Sequence, residues 1–501
     1  MATREGLFFD NSNSVLQRGL PCQGAIKPLT NNTDERVEFD VIIVGAGYAG
    51  LTACRDVCTA GEYWRGSRSA ILINRAAGFS VLLLEARDRI GGRTFTTEVD
   101  GHLYEMGGTW VHWNQPHTYR EMSRYGLTDL LPSHDRTFGL DSCTVHLNGK
   151  TRNVSHETAH AMTEKAFRLM CDVDGELGRS VIPYPHDPHF NPEAKYWEAL
   201  SVAQRLDQIR TQISDDEAAI LQARLSSIYG ADMDKAGFFD MLRWWALGGY
   251  TMDGLYETGD DFKLPDGQSS FARHFFDETV GTQKLIYCFD TVVQSVHDNG
   301  RAVCVNDKWR AERLICTMPL NVLCDVKFEP GLSAQKLQAM KGGNINQGAK
   351  VHLEVSGSGH RSWSSAIYPV SRACSMSGDG LTPAGNTHLV CFGSNKEFTS
   401  PEDDARSFAA DCKHVQEIDI LKTIWHDWAK DPFAKGSWCM YPPDFSFKYL
   451  ATLQERAGNV LFANSDWASG WRGYIDGAIE RGTLAARDVA TELRTSRCTA
   501  G

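Results

Sequence analysis

The sequence lacks a long apolar run. No stretch of about 18 apolar residues, the length that a transmembrane helix needs, occurs anywhere in its 501 residues, the C-terminus included. Residues 1–36 are largely polar and do not have the basic and then apolar order of a secretory signal, so they are expected to form a flexible N-terminal arm. The chain does not end in a Ser-Lys-Leu tripeptide. We therefore expect a soluble, intracellular protein without a transmembrane anchor, cytoplasmic rather than peroxisomal.

Basic tracts and paired cysteines are also missing. The net charge is −12, which argues against nucleic acid or an anionic membrane surface as a partner. The fourteen cysteines include no Cys-x-x-Cys pair, so we expect reduced thiols rather than a disulfide framework or a zinc site. No Ser-His-Asp, metal-ligand or P-loop pattern competes with the motifs below, and no metal is expected.

A glycine-rich turn follows an apolar, β-rich run at residues 41–44. It has the Gly-x-Gly-x-x-Gly spacing of a dinucleotide-binding unit. Gly45 permits the tight turn, Gly47 lets the backbone approach a pyrophosphate, and Gly50 lets a helix pack on the strand. The turn residues expected to contact a cofactor are Gly45, Gly47, Tyr48, Ala49 and Gly50.

A second apolar strand, residues 79–84, ends at Glu85, where a ribose 2′-hydroxyl needs a carboxylate. This carboxylate would repel a 2′-phosphate, so FAD or NAD is favoured over NADP. A Gly/Arg cluster follows at once; FAD needs it to hold its phosphates and flavin beyond the first turn, whereas a nicotinamide enzyme does not. The alternative is a pair of surface arginines beside a flexible turn. The residues expected to contact FAD here are Glu85, Ala86, Arg87, Gly92 and Arg93.

This unit resembles the FAD-binding motif of the flavin amine oxidase family. Residues 461–468 and the Gly-Tyr-Ile-Asp-Gly-Ala segment at 473–478 extend the resemblance, which spans about residues 38 to 494 and is greatest to soluble fungal, Aspergillus-type monoamine oxidases. It implies an α/β fold: a Rossmann-like, glutathione-reductase-like FAD-binding domain with an interleaved α+β substrate-binding domain. The expected FAD-binding segments are 37–120, 266–330 and 425–495, and the substrate-binding segments are 121–265 and 331–424.

The resemblance also implies contacts for the rest of the cofactor. In a strand expected at residues 292–296, a Val-x-x-Val segment of the family is matched at Val293 and places a backbone amide near the adenine. The terminal helix directs its N-terminus at the flavin. Small residues before Trp110 can lie against a ring system. The further residues expected to contact FAD are Gly108, Thr109, Val293, Asp466 and Ile475.

The catalytic residues that the resemblance implies are Trp438, Tyr474 and Lys350. Two aromatic side chains at the first two positions sandwich the amine without an anionic partner, which would hold back the neutral amine needed for oxidation. Lys350 acts by a water at the flavin N5 and assists reoxidation by oxygen. The alternatives are core packing for the aromatic pair and an exposed strand lysine.

The position before Trp438 decides how the flavin is attached. Animal monoamine oxidases attach it through a cysteine there, and this chain has Ser437. Cys439 lies on the other side of Trp438 and does not match. We therefore expect non-covalent FAD.

Residues 120 to 265 have the spaced apolar positions of helices, at 196–209, 215–227 and 236–247. Aromatic residues in and before this region are candidates for a substrate pocket, although packing between helices is at least as good an explanation for the Trp244-Trp245 pair. The candidates are Trp110, Trp245 and Tyr256.

The resemblance implies an enzyme that oxidises primary or secondary amines to imines and reduces O2 to H2O2; water then gives an aldehyde or ketone. The expected partners are a small-molecule amine and O2, and a homodimer is left open. A polyamine or L-amino-acid oxidase is the alternative within the fold, but no acidic ladder or carboxylate-clamping arginine is evident. An FAD-binding protein without turnover and an NAD-linked dehydrogenase are the alternatives outside it.

One segment does not fit the family. A ribose carboxylate usually follows the glycine turn by about 20 residues, yet Glu85 lies 35 positions after Gly50. Residues 61–77 therefore have the character of an insertion. Gly61-Glu62-Tyr63 can be encoded with a splice-donor sequence, so we hypothesise a retained intron; a genuine surface loop is the alternative.

Overall fold

The computed structural model describes residues 1–28, 36–60, 78–133, 142–370, 372–394 and 400–499. The predicted insertion, 61–77, lies outside these residues. The helices of the described part are α1 (Tyr48–Thr59), α2 (Pro116–Tyr125), α3 (His156–Cys171), α4 (Ala194–Glu198), α5 (Val202–Ile209), α6 (Asp215–Tyr229), α7 (Phe238–Leu247), α8 (Met252–Asp260), α9 (Gly267–Gly281), α10 (Ala334–Gly342), α11 (Pro401–Val415), α12 (Ser446–Gln454) and α13 (Ile475–Thr499).

The strands fall into two large sheets and two sheets of two strands each. They are β1 (Leu7–Asp10), β2 (Val15–Arg18), β3 (Glu38–Val44), β4 (Val81–Leu84), β5 (Thr96–Val99), β6 (His102–Glu105), β7 (Leu131–Pro132), β8 (Cys143–Leu147), β9 (Lys150–Val154), β10 (Phe262–Lys263), β11 (Leu285–Cys288), β12 (Ser295–Asp298), β13 (Val303–Val305), β14 (Trp309–Cys316), β15 (Lys327–Glu329), β16 (Gly348–Val355), β17 (Ser364–Tyr368), β18 (Ala373–Leu381), β19 (Thr387–Ser394), β20 (Ile420–Trp425) and β21 (Val460–Phe462).

The first sheet has the order β11-β4-β3-β14-β13-β12-β15, with β21 also paired to β14. The strands β11, β4, β3, β14 and β21 run parallel. Val41 and Ile43 face a core shared with α1, α9 and α13, whereas Ile42 and Val44 face a second core on the other side. Because both faces are buried, β3 is apolar almost throughout instead of alternating with polar residues.

The second sheet has nine strands, in the order β2-β1-β20-β16-β19-β18-β17-β8-β9. On β16 the side chains of Val351 and Leu353 face a core that includes Phe408 of α11. Lys350 and His352 therefore project from the opposite face, because successive strand residues alternate. Strands of the first sheet and strands of the second sheet alternate in groups along the chain. The predicted division into FAD-binding and substrate-binding segments, with its boundaries, stays a prediction.

The prediction of a flexible N-terminal arm is wrong for the first part of the chain. β1 pairs with β2 and with β20, which adds the two strands to the edge of the second sheet. Glu5 forms ion pairs with Arg87 and Arg89. The largely polar composition of residues 1–36 misled the prediction, because short apolar runs within it, such as Leu7-Phe8-Phe9, pair and pack in the second sheet.

The helical region agrees with its periodicity except at the boundaries. The predicted helix 196–209 is interrupted, because Ser201 accepts a hydrogen bond from the Gln204 N–H and caps α5 in a reciprocal capping box. The strand predicted at 292–296 begins only at Ser295, where β12 starts. Within the described part of the chain, no helix is both long and apolar enough to cross a membrane.

Candidate active site

A cavity of about 510 Å³ is lined by the glycine turn after β3 and by residues of helices α6, α7 and α8. Its walls come from turns that follow β3, β4 and β14, from β16 and β19, and from α8 and the start of α13. The sequence-predicted residues that line it are Gly45, Gly47, Tyr48, Ala49, Glu85, Ala86, Arg87, Gly92, Arg93, Gly108, Thr109, Trp110, Tyr256, Val293, Lys350, Trp438, Tyr474 and Ile475.

Two glycine turns form the floor at one end of the cavity. Gly45 has φ +103, which a side chain would strain, and a Cβ at Gly50 would lie 1.8 Å from the carbonyl oxygen of Gly45. A Cβ at Gly47 would lie 3.7 Å from the Cα of Gly92. The two turns thus face each other without side chains, which leaves the backbone N–H groups at the start of α1 open to a phosphate.

Glu85 lies beside these turns and is buried. One carboxylate oxygen accepts from the Ala46 N–H (2.6 Å) and the other accepts from the Arg87 N–H (2.9 Å). Burial raises the pKa of Glu85, and the charge of Arg87 opposes this. The carboxylate is therefore held in place at the cavity wall before any ligand binds.

The two arginines of the Gly/Arg cluster are not surface residues, but their forks already have protein partners. Arg87 donates to both carboxylate oxygens of Asp431 (2.7 and 2.8 Å) and also pairs with Glu5. Arg93 donates to the Ser437 carbonyl (2.8 Å) and to Asp466 (2.5 Å). Both arginines line the cavity, so they contribute charge there while bonding to the protein.

Two predicted FAD contacts do not line the cavity. One is Gly50, which instead lies against the Gly45 carbonyl within the turn, and the other is Asp466. Asp466 is 0% exposed, and its second oxygen accepts from the Leu320 N–H (2.9 Å). Its neighbours Asn464 and Ser465 line the cavity instead. Asp466 therefore acts from behind the wall, where it holds Arg93.

Lys350 is buried and not an exposed strand lysine. Its amine donates to the Thr109 hydroxyl (2.5 Å) and to the Gly107 carbonyl (3.2 Å), and it lies 4.5 Å from the centre of the Trp110 ring. Burial lowers the pKa of Lys350 to about 8, and the charge of Glu105 opposes the shift. A lysine that titrates near neutral pH is thus fixed at the middle of the cavity.

Trp438 and Tyr474 both line the cavity. The Trp438 indole N–H donates to the Ile228 carbonyl (2.8 Å), which fixes the plane of the ring. The Tyr474 ring lies 5.2 Å from that of Trp244 and 5.0 Å from that of Trp471. Burial raises the pKa of Tyr474. Each ring therefore lines the cavity and also packs against neighbouring side chains.

The prediction that Trp245 lines the pocket is wrong. Its indole N–H donates to the Leu177 carbonyl (3.0 Å), and its side chain faces the helical core, whereas the adjacent Trp244 lines the cavity. Adjacent helix residues point in directions about 100° apart, so only one of the pair can face the cavity. Phe392 and Asp260 also line this end; a strand phenylalanine and a helix-end acid carry no signal in the sequence that would have identified them.

Ser437 also lines the cavity, and its hydroxyl donates to the Gly348 carbonyl (2.7 Å). The Cys439 thiol is 0% exposed, packs in the core of the first sheet, and points toward the Asp466 carbonyl (3.6 Å). Because Cys439 is not part of the cavity wall, it cannot take the role of an attachment cysteine.

Comparison with known proteins gives matches along most of the chain. Residues 49–490 match the family described as flavin containing amine oxidoreductase. Pseudooxynicotine dehydrogenase of a Pseudomonas species is 28% identical, over 96% of this chain and 92% of its own length. Nicotine dehydrogenase of Pseudomonas putida is 29% identical, over 97% and 98%. The structure of cyclohexylamine oxidase from Brevibacterium oxydans shares the fold, with a TM-score of 0.70, 20% identity and coverage of 91% and 99%.

Proposed function

Because the chain belongs to the family of flavin-containing amine oxidoreductases, we propose that its cavity oxidises a primary or secondary amine to an imine between Trp438 and Tyr474. The enzyme class and the flavin cofactor follow from the family. The assignment of individual residues, the electron acceptor and the kind of amine are our proposals. The observation that carries the residue assignment is that the two aromatic side chains and Lys350 line one cavity with the glycine turns.

The residues present fit FAD. The side-chain-free floor at Gly47 and Gly92 suits a pyrophosphate, and Glu85 at the adjacent wall suits a ribose hydroxyl. Val293 and Ile475 mark the places proposed for the adenine and the flavin. FAD, when bound, supplies the acceptor for the two electrons that leave the amine.

The protein's own contribution is orientation and exclusion of water. The Trp438 and Tyr474 rings confine the nitrogen by their electron-rich faces, and Trp244 and Phe392 close the wall around them. The substrate loses a hydrogen with two electrons from the carbon beside nitrogen and a proton from the nitrogen. Water then cleaves the imine to a carbonyl compound and ammonia or an amine.

We propose O2 as the acceptor: it takes two electrons and two protons to give H2O2, with Lys350 beside the site of reduction. The second candidate is another electron acceptor, and it is favoured by the names of two relatives, which are called dehydrogenases. Peroxide release and reduction of an artificial dye are measured on the same amine. Peroxide equal to the carbonyl product supports oxidase chemistry, whereas turnover with the dye alone would replace O2 as the acceptor.

Monoamines are proposed over polyamines because aromatic rings line much of the cavity. Of its three acidic lining residues in the described part of the chain, Glu85 accepts from backbone N–H groups and Asp325 pairs with Lys435; the third is Asp260. Product formation from benzylamine, aliphatic amines, spermidine and amino acids tests this, and a preference for spermidine would favour the polyamine alternative. The greatest resemblance to fungal enzymes, the homodimer and the cytoplasmic location stay predictions from the sequence.

A further inference from the structure

Three buried charged residues lie next to the cavity without lining it. Asp240 and Arg243 are on α7, and Arg472 precedes Tyr474; their exposed fractions are 2%, 0% and 0%. Removing charges from water costs several kcal/mol per ion, and packed apolar residues would often be as stable. The group has two cations and one anion, so pairing within it does not cancel its charge. Stability alone is therefore a poor reason for this group.

Asp240 binds the two segments that carry the aromatic pair. One carboxylate oxygen accepts from the Tyr441 N–H (2.7 Å), three residues after Trp438. The other accepts from the guanidinium of Arg472, two residues before Tyr474. A single side chain on α7 thus spans the backbone of one segment and the side chain of the other.

Arg243 and Arg472 close the same set of contacts. Arg243 donates to the Gly470 carbonyl (2.9 Å) and to the Arg472 carbonyl (3.4 Å). The Arg472 guanidinium lies 4.2 Å from the centre of the Tyr441 ring. These bonds are directional, so they set both the distance and the orientation of the two segments.

Helix α7 also touches the aromatic pair directly. Trp244, one residue after Arg243, packs its ring 5.2 Å from that of Tyr474. The helix that supplies Asp240 therefore supplies part of the cavity wall as well. A change in the contacts of Asp240 moves the segments relative to this wall.

We propose that Asp240 is a positioning residue for amine oxidation, because it fixes the segments of Trp438 and Tyr474 relative to each other through Tyr441 and Arg472. The proposal rests on the proposed function of the aromatic pair. It places the effect of Asp240 on the geometry of the bound amine and not on FAD, whose floor is formed by the distant glycine turns.

The test is Asp240→Asn, which keeps an oxygen acceptor for Tyr441 and removes the charge that binds Arg472. Stopped-flow reduction of the holoenzyme by an amine without oxygen should show a limiting rate about 10- to 100-fold lower, as expected for a small misplacement. The FAD content and the rate of reoxidation by O2 should stay within twofold of the wild type. A limiting rate of reduction equal to that of the wild type overturns the proposal.

Glu198→Gln is the matched control. Glu198 is also buried and accepts from Ser446 (2.5 Å) and Phe447 (2.9 Å), and it interacts with Arg472 by charge attraction instead of the hydrogen bond that Asp240 accepts. Its limiting rate should stay within twofold of the wild type. An equal loss of rate in both variants would mean general destabilisation and would overturn the positioning role.

Arg243→Lys is the second variant if Asp240→Asn does not fold. It keeps the charge and loses the fork that joins the Gly470 and Arg472 carbonyls, and it should lower the limiting rate by about fivefold or more. Near-ultraviolet circular dichroism of the aromatic residues gives a readout without turnover and should change in either variant but not in Glu198→Gln. If no amine reduces the wild type, the proposed function fails, while unchanged dichroism would overturn the positioning role by itself.

Discussion

Ser437 decides how the flavin is attached. It occupies the position before Trp438 and holds the Gly348 carbonyl, while the neighbouring thiol of Cys439 is buried behind the wall. We predict that acid precipitation of the purified protein releases all of its FAD into the supernatant. Absorbance of the two fractions measures this. Yellow colour that stays with the polypeptide would show a covalent bond and contradict the prediction.

Lys350 is the residue for which we predict a pH effect. Burial lowers the pKa of its amine to about 8, so below that pH it carries a charge that stabilises negative charge developing on oxygen. The rate of reoxidation should therefore fall as the pH rises through about 8. Lys350→Met should reoxidise slowly at every pH, with little change in amine binding. Both half-reactions of Lys350→Met are measured by stopped flow. An unchanged rate of reoxidation would show that Lys350 does not act at the site.

Trp438 and Tyr474 should separate cofactor binding from chemistry. Each ring lines the cavity but belongs to neither glycine turn, so replacement by Ala should leave FAD bound and lower the rate of amine oxidation by about 10- to 1000-fold. FAD content and steady-state rates are measured together. Loss of FAD or of folding in both variants would instead assign these residues to the core.

Among single residues, the sequence predicted those whose place in the cavity depends on a motif only a few residues long. Gly45, Gly47 and Glu85 act through a turn and a strand end, and both are visible within a few residues. Of the Trp244-Trp245 pair, the sequence analysis selected Trp245, whereas Trp244 lines the cavity. Which face of a helix meets the cavity depends on how the helix packs. The partners of Arg87 could not be predicted, since Glu5 and Asp431 are distant in the sequence and meet only in the fold.

Helix α1 and strand β4 flank the segment predicted to be an insertion. The N–H groups of Ala60 and Phe79, on its two sides, both donate to the Val57 carbonyl at 3.3 Å. The two ends therefore already meet, and joining Ala60 to Gly78 needs little movement. Deletion of residues 61–77 should preserve or improve FAD content and activity. A deletion variant that loses its flavin contradicts this, and transcripts that always contain the segment in frame contradict the intron.

Elements with strong patterns were predicted and edge elements were not. The apolar runs of β3 and β4 and the periodicity of α6 and α7 specify these elements locally. The hairpin β1–β2 was not predicted, although Leu7, Phe8 and Phe9 are apolar, because it depends on pairing with β20, which is distant in the sequence. The start of β12 was predicted too early, because the residues before it form the cavity wall.

The whole molecule joins two sheets so that each supplies one half of a cavity. The first sheet gives the glycine turns and Glu85, and β16 of the second sheet gives Lys350. The terminal helix α13 then returns to the first sheet and packs on α1, which brings Tyr474 to the cavity from the far end of the chain. Because the lining residues come from segments spread along the chain, the cavity forms only when both sheets are assembled.

The central claim is that an amine in this cavity gives its electrons to bound FAD. The direct measurement is the flavin absorbance of the purified holoenzyme when a primary or secondary amine is added without oxygen. The account predicts that the absorbance bleaches and that one carbonyl product forms for each FAD. A flavin that dithionite bleaches, but that no amine in a broad panel reduces, would contradict it.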